Sequence, residues 1–295
     1  MTRGTTIKRA TPETLTLLRP MITRRYELVV EHGKCCGCKV CAALCPREAI
    51  ALSKAELADG RLAKKPQVDI DPAKCNYCGE CVVMCPTYAI SLTVNGQAEV
   101  PVLKGEAFPT LRRGNVVDLA ACQTTTETGY VERCPVGAIS VATERTDGGQ
   151  VTAVSAVAVD GAMCITCTRC MEDGPKGGFT VTKPYRGKAY LNTALCPAGC
   201  QACADICPTQ CITHDGLKVV LDARFCLFCG ACENVCPAEG ALRIVRLGYE
   251  HTPIESAAWM AALEKLVSIR EVAREYDIKG QSKRREAVAK VLRVK

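Results

Sequence analysis

Aromatic residues make up only 4% of this 295-residue chain, and tryptophan occurs once. One large core of ordinary design is thereby excluded, and cross-links other than side-chain packing are needed to hold the fold. Long apolar runs are missing too. The longest, such as Val151 to Val159, fall far short of the ~20 residues that cross a bilayer, so no membrane span is expected. Arg24-Arg25 has the look of a twin-arginine export signal, but Glu27, Glu31, His32 and Lys34 interrupt the adjoining stretch and leave no apolar h-region. No GxGxxG, no Walker loop and no acid–base pair beside a histidine stands out. The three histidines, His32, His214 and His251, are expected at the surface near cysteine loops.

Cysteine is what the chain has in quantity, with 23 residues. An odd number without a secretory signal points to metal rather than disulfides, and to a reducing, cytoplasmic compartment. Four segments repeat one template. Cys35, Cys38, Cys41 and Cys45-Pro46 have the spacing C-x2-C-x2-C-x3-C-P, as do Cys75, Cys78, Cys81, Cys85-Pro86 and Cys226, Cys229, Cys232, Cys236-Pro237. Cys196, Cys200, Cys203 and Cys207-Pro208 differ by one residue in the first gap. This spacing resembles the bacterial-type ferredoxin run, whose thiolates hold [4Fe–4S] cubanes. Structural zinc uses paired CxxC units rather than four cysteines closed by Pro. The wider gap after Cys196 has radical-SAM spacing, but Cys236 offers a fourth ligand. Moreover, only 92 residues follow Cys203, too few for a barrel of ~200 or more.

The flanks repeat as well. An acid or amide stands four residues before each first cysteine, at Glu31, Asp71, Asp160, Asn192 and Asp222. A β-type run such as Glu27-Leu28-Val29-Val30 precedes it, and a strand-like segment such as Ala89-Ile90-Ser91-Leu92 follows Cys-Pro. Two units of strand, cysteine loop, short helix and strand make one α+β ferredoxin domain. In such a two-cluster domain the fourth cysteine of each run ligates the other cluster. The resemblance thus implies the sets Cys35, Cys38, Cys41, Cys85 and Cys75, Cys78, Cys81, Cys45. Towards the C-terminus it implies Cys196, Cys200, Cys203, Cys236 and Cys226, Cys229, Cys232, Cys207.

The middle of the chain keeps half of this pattern. Cys164, Cys167 and Cys170 are followed in register by Gly174-Pro175, while Cys134-Pro135 is preceded by Thr124, Glu127 and Tyr130. Under crossed ligation the missing positions are one whole site, and Cys164, Cys167, Cys170 and Cys134 remain as another. The expectation is three tandem ferredoxin domains with five [4Fe–4S] clusters, at 27–95 (two clusters), 115–185 (one cluster) and 186–248 (two clusters). A basic N-terminal arm (1–26), a linker (96–114) and a helical docking tail (249–295) complete the chain. Cys36, Cys122 and Cys211 are left over, as a spacer, a relic and a small buried thiol.

The formal charge of +7 counts each cysteine as neutral. Five oxidised cubanes at about −2 each bring the loaded chain to roughly −3, so the basic residues mostly balance the cofactors and nucleic-acid binding is not expected. The arm carries Arg3, Lys8, Arg9, Arg19, Arg24 and Arg25 against Glu13 alone. In the tail, Thr252-Pro253 starts a helix on which Trp259, Ala262, Leu263, Leu266 and Ala273 recur at helical spacing. Its basic end holds Lys283, Arg284, Arg285, Lys290, Arg293 and Lys295. Either the chain's own domain or a partner subunit has to cover the apolar stripe, and docking on a partner is the expectation.

The array of runs over about residues 27–248 resembles the polyferredoxins of anaerobic redox complexes. The tail, from Ile254-Glu255-Ser256-Ala257-Ala258-Trp259 through Lys283-Arg284-Arg285-Glu286, is similar to the polyferredoxin subunit of formylmethanofuran dehydrogenase. That resemblance implies a non-catalytic electron-transfer subunit of a CO2-reducing complex. Its partners would be iron–sulfur and molybdopterin subunits with molybdenum or tungsten, and a soluble ferredoxin or another redox protein would exchange electrons with it. A wire for a hydrogenase, heterodisulfide reductase or formate dehydrogenase, and a free multicluster ferredoxin, are the alternatives.

Overall fold

A computed structural model of the chain describes residues 5–215 and 218–293; Arg3 and Lys295 lie outside them. The acid or amide before each run begins the same local device. The amides of Cys35, Cys75 and Cys164 donate to the carbonyls of Glu31, Asp71 and Asp160 at 3.1, 3.0 and 2.9 Å. The side chains of Asp71, Asp160, Asn192 and Asp222 each accept from the amide two residues on. This Asx turn ends the strand and leads the chain into the cysteine loop. Glu31, one methylene longer, pairs with Lys34 instead.

The loops then wind through left-handed backbone. Gly37, Tyr77, Thr166 and Phe228 follow the first cysteine, and Lys39, Gly79, Thr168 and Gly230 follow the second, with φ between 51° and 90°. Each residue of the second group caps a short helix that carries the third cysteine: Val40–Leu44, Glu80–Val83, Arg169–Asp173 and Ala231–Val235. The run with the wider gap departs from this. There Gly199 is left-handed, and Gln201 caps the helix Ala202–Ile206 at φ −125°.

One strand arrangement occurs three times. The strand leading into a unit pairs antiparallel with the strand leaving it: Arg25–Glu31 with Ile90–Val94, Gly114–Val117 with Phe179–Thr182, and Tyr185–Leu191 with Leu242–Tyr249. The two inner strands pair with each other: Ile50–Leu52 with Val68–Ile70, Ile139–Arg145 with Val151–Val159, and Ile212–His214 with Val219–Leu221. The mixed helix and strand composition is the α+β class expected. Each pairing folds one half of a unit back along the other, which carries the last cysteine of one run towards the loop of its neighbour.

The N-terminal residues do not form a separate arm. Ile7–Ala10 and Thr14–Pro20 are strands that continue the first unit's outer pair into a five-stranded sheet. The alternation Thr14-Leu15-Thr16-Leu17 has the period of a half-buried strand. It sends Leu15 and Leu17 into the core with Leu28, Val30, Ile70 and Tyr77, while Lys8 pairs with Asp69 outside. His32 is also buried rather than at the surface.

The C-terminal stripe is covered by this chain itself. In the helix Ala257–Leu266, Trp259, Ala262 and Leu266 are buried. The indole meets Phe108, Tyr249 and His251 edge-on, with ring centroids 5.0, 6.1 and 4.8 Å apart. Ser256 caps the helix and donates from Oγ to the Ala107 carbonyl at 2.6 Å. A ten-residue helix cannot hold by itself, and the nearest apolar surface is the seam between the first and third units, where Leu44, Met84 and Leu242 join the same core. The next helix, Ile269–Arg293, is anchored by Arg243–Glu271 and Lys188–Glu275 ion pairs, after which Tyr276, Ile278 and Val288 are exposed.

Trp259→Ala is expected to cost about 3–5 kcal/mol of stability, measured by anaerobic denaturant unfolding followed by far-ultraviolet circular dichroism. An unchanged midpoint would show that the helix lies outside the cooperative core.

Candidate metal centres

The strand pairings bring the crossed cysteines together. Cys45 lines one cavity with Cys75, Cys78 and Cys81. Cys134 lines a second with Cys164, Cys167 and Cys170. Cys207 lines a third with Cys226, Cys229 and Cys232. The other two sets also assemble. Cys41 lies in the electrostatic field of Cys35, Cys38 and Cys85 and also of Cys81 of the neighbouring set, and Cys203 in that of Cys196, Cys200 and Cys236.

The residues fit cubanes. Four thiols ring each of the first two cavities, and five, with Cys211, ring the third, instead of converging on one point as they do around zinc at ~2.3 Å. The alternation of right- and left-handed backbone forms a concavity of N–H groups suited to an anionic cluster. Further amides reach the sulfurs directly: Ala49 donates to Cys45 Sγ at 3.4 Å, Ala89 to Cys85 at 3.2 Å and Ala138 to Cys134 at 3.3 Å. Asn115, which no sequence signal marked, adds a side-chain donor to Cys170 Sγ at 3.4 Å. Burial pushes the Cys35, Cys78, Cys170 and Cys203 thiols up to about 11, and Cys41, Cys81 and Cys232 well above the ordinary thiol value. Thiolates in these pockets therefore need metal to stabilise them.

In the middle unit the positions that lack cysteine also meet. Thr124, Glu127, Tyr130 and Gly174 line one polar recess with Arg133 and Asp173. Gly174-Pro175 keeps the turn of the other Cys-Pro segments, since Gly177 is left-handed just as Glu48, Tyr88, Gly137 and Gln210 are three residues past their cysteines. A Cβ on Gly174 would run into the Cys170 carbonyl and the Phe179 ring. Beside it a small apolar core has formed, with Tyr130 edge-on to Phe179 at 5.3 Å and Cys122 fully buried. Cys122 is thus a packing residue, its thiol directed to the Gly178 carbonyl.

The remaining two spare cysteines are not mere filler. Cys36 packs in one core with Cys38 and with Cys229 of the third unit, in the electrostatic field of both. Cys211 Sγ lies 3.5 Å from Cys207 Sγ. Around them the units touch. Asn234 donates to the Gly37 carbonyl at 3.0 Å, joining the first unit to the third. Arg169 donates to the Thr209 carbonyl at 3.1 Å and Lys183 to that of Arg224 at 3.0 Å, joining the middle unit to the third. A hairpin of the first unit, Glu56–Ala58 and Arg61–Lys64, clasps the helix Ala202–Ile206 through the Arg61–Asp205 ion pair at 2.7 Å.

Known proteins share these features. A family model described as a 4Fe-4S dicluster domain matches residues 34–89 and 195–240. An uncharacterized ferredoxin of Methanocaldococcus jannaschii is 39% identical over 64 residues, which is 22% of this chain and 79% of that protein. A 7Fe ferredoxin of Hydrogenibacillus schlegelii is 40% identical over 50 residues, 17% of this chain and 64% of that protein. Among solved structures, a chain of the formate dehydrogenase–heterodisulfide reductase–formylmethanofuran dehydrogenase complex of Methanospirillum hungatei superposes with a TM-score of 0.76 at 26% identity. The match covers 91% of this chain and 93% of that one.

Because the raised thiols of Cys35, Cys78, Cys170 and Cys203 are protonated near neutrality, each of them gives up a proton when iron binds. Reconstitution of the iron-free chain should release a proton from each of these thiols and become more favourable as pH rises towards about 11, which a pH-stat measures directly. In the middle unit, replacing Thr124, Glu127, Tyr130 and Gly174 together by cysteine is expected to leave the iron content unchanged, because position 174 has no room for a Cβ; iron analysis of that variant checks it.

Proposed function

This chain belongs to the 4Fe–4S ferredoxin family, as a polyferredoxin, and from that premise we propose that it is the electron-transfer subunit of a CO2-reducing, formylmethanofuran dehydrogenase-like complex. The observation that carries the reading is the structural likeness over 91% of the chain to a chain of a complex that contains such an enzyme. In this proposal three ferredoxin domains, over 27–95, 115–185 and 186–248, hold five [4Fe–4S] clusters through the crossed sets. When bound, such clusters store and pass single electrons. The chain's own residues fix the sulfurs, aim N–H groups at them and exclude water. Catalysis belongs to a molybdenum or tungsten molybdopterin subunit, reached with further iron–sulfur subunits, and a soluble ferredoxin exchanges electrons at the other end. Among the described residues no helix is long and apolar enough to cross a membrane, and the proposed setting is the cytoplasm.

The arrangement in space differs from the order in sequence. The third unit touches both others, so electrons from the first unit need not pass through the middle one. Service to a heterodisulfide reductase or formate dehydrogenase is the second reading, supported by the presence of both enzymes in the same neighbouring complex.

Anaerobic affinity purification of the full chain from its native cells should bring down a molybdopterin subunit together with formylmethanofuran dehydrogenase activity; recovery of the chain alone would sink the proposal. Reconstitution should give about 20 iron per chain, four for each of five cubanes. Cys134→Ala should remove about four of them from the Cys164, Cys167, Cys170 site and leave the rest, whereas Cys122→Ala should leave all in place. Equal losses from the two variants would overturn the crossed assignment.

A further inference from the structure

Two thiols outside the four-cysteine sets converge on a single set. Cys36 is buried in one core with Cys229 and Cys38 and lies in the electrostatic field of both. Cys211 is buried, 3.5 Å from Cys207 Sγ, and lines the same cavity as Cys226, in whose electrostatic field it lies. Cys207, Cys226 and Cys229 are three of the four members of one site. At the place of Cys211 the corresponding turns carry Ala49, Ala89 and Ala138, whose backbone amides serve the sulfur four residues before with no side-chain donor at that position. The Thr87 and Thr209 hydroxyls stand beside Cys85 and Cys207 Sγ alike. The same set receives the Phe228 amide at Cys226 Sγ, 3.3 Å away. Two cations stand beside it. Arg246 donates to the Phe228 and Cys229 carbonyls, and the Lys183 ammonium lies 5.3 Å from the Phe228 ring centre and in the field of Cys226.

We propose that Cys36 and Cys211 donate S–H···S hydrogen bonds to this set and make the Cys207, Cys226, Cys229, Cys232 site the most readily reduced in the chain. The inference rests on the crossed four-cysteine reading above. A metal-bound thiolate has no proton to give, so the spare thiol is the donor in each pair. Reduction adds negative charge to the cluster and its sulfurs, and donors or cations beside them stabilise the reduced state more than the oxidised one. The site takes one electron from a low-potential one-electron donor, and the protons remain on Cys36 and Cys211. Cys36 has a single S–H for Cys229 and Cys38, so its effect divides between two sites; that of Cys211 falls on one. An electron held there rests where all three units meet.

The test is an anaerobic potentiometric titration of the full reconstituted chain with dithionite, followed by electron paramagnetic resonance. In Cys211→Ala the highest midpoint should fall, by about threefold to tenfold in the one-electron equilibrium constant, where tenfold is about 59 mV. Cys36→Ala in the same chain should lower it further. Cys211→Ser, which keeps an O–H donor, should restore it, and iron content should match the unsubstituted chain in all three. An unchanged highest midpoint with full iron overturns the proposal. If Cys211→Ala loses about four iron atoms while Cys207→Ala retains them, Cys211 is itself the ligand, and the crossed assignment at this site fails with the proposal.

Discussion

The structure depends on the antiparallel pairing of the first strand of each unit with its last. That pairing, closed by the inner pair, carries Cys45 to the loop of Cys75 and Cys207 to the loop of Cys226. Once two halves share their sulfurs, iron–thiolate bonds cross-link segments that so few aromatic residues could not hold. The backbone bears a cost for this. Lys39, Tyr77, Thr166, Thr168 and Phe228 sit in left-handed conformations that cost about 1–2 kcal/mol each for residues with a Cβ. The N–H groups that this winding turns inwards offset the cost when they face an anion.

The middle unit shows what happens when one of two sites is given up. Its strand pairing survives, and so does the turn at Gly174-Pro175. The cross-link is replaced by packing: Tyr130, at the place of a third cysteine, packs edge-on against Phe179 beside Cys122. The remaining set, Cys134 with Cys164, Cys167 and Cys170, keeps its cavity because both inner strands that position it are intact. The strand framework of this unit thus stands with apolar packing where the other units carry cysteine.

Joining three such units needs surfaces that the runs themselves do not provide. The Trp259 helix fills the seam between the first and third units, and the Arg61 hairpin holds the third unit's helix from the other side. The cysteine loops face one another across these seams, with Gly37 against Asn234 and Arg169 against Thr209. Close approach of the loops is what a relay of single electrons requires, and here the same contacts also hold the units together.

Motif spacing by itself determined the chemistry, because a thiol's ability to bind iron is carried by the residue and its neighbours four positions away. The strand–loop–helix–strand units were legible for that reason, down to the acids at Asp71 and Asp160 that prove to be turn residues. Composition misled where it stood in for geometry. The basic count of residues 1–26 hid the alternation that buries Leu15 and Leu17, and the stripe of Trp259 looked available to a partner because its cover includes Phe108, which lies well away in the sequence. Only the tertiary structure decided how the units meet and what the spare thiols touch. Cys36 and Cys229 stand 193 positions apart, and their meeting in one core depends on two units docking, a contact that no local spacing encodes.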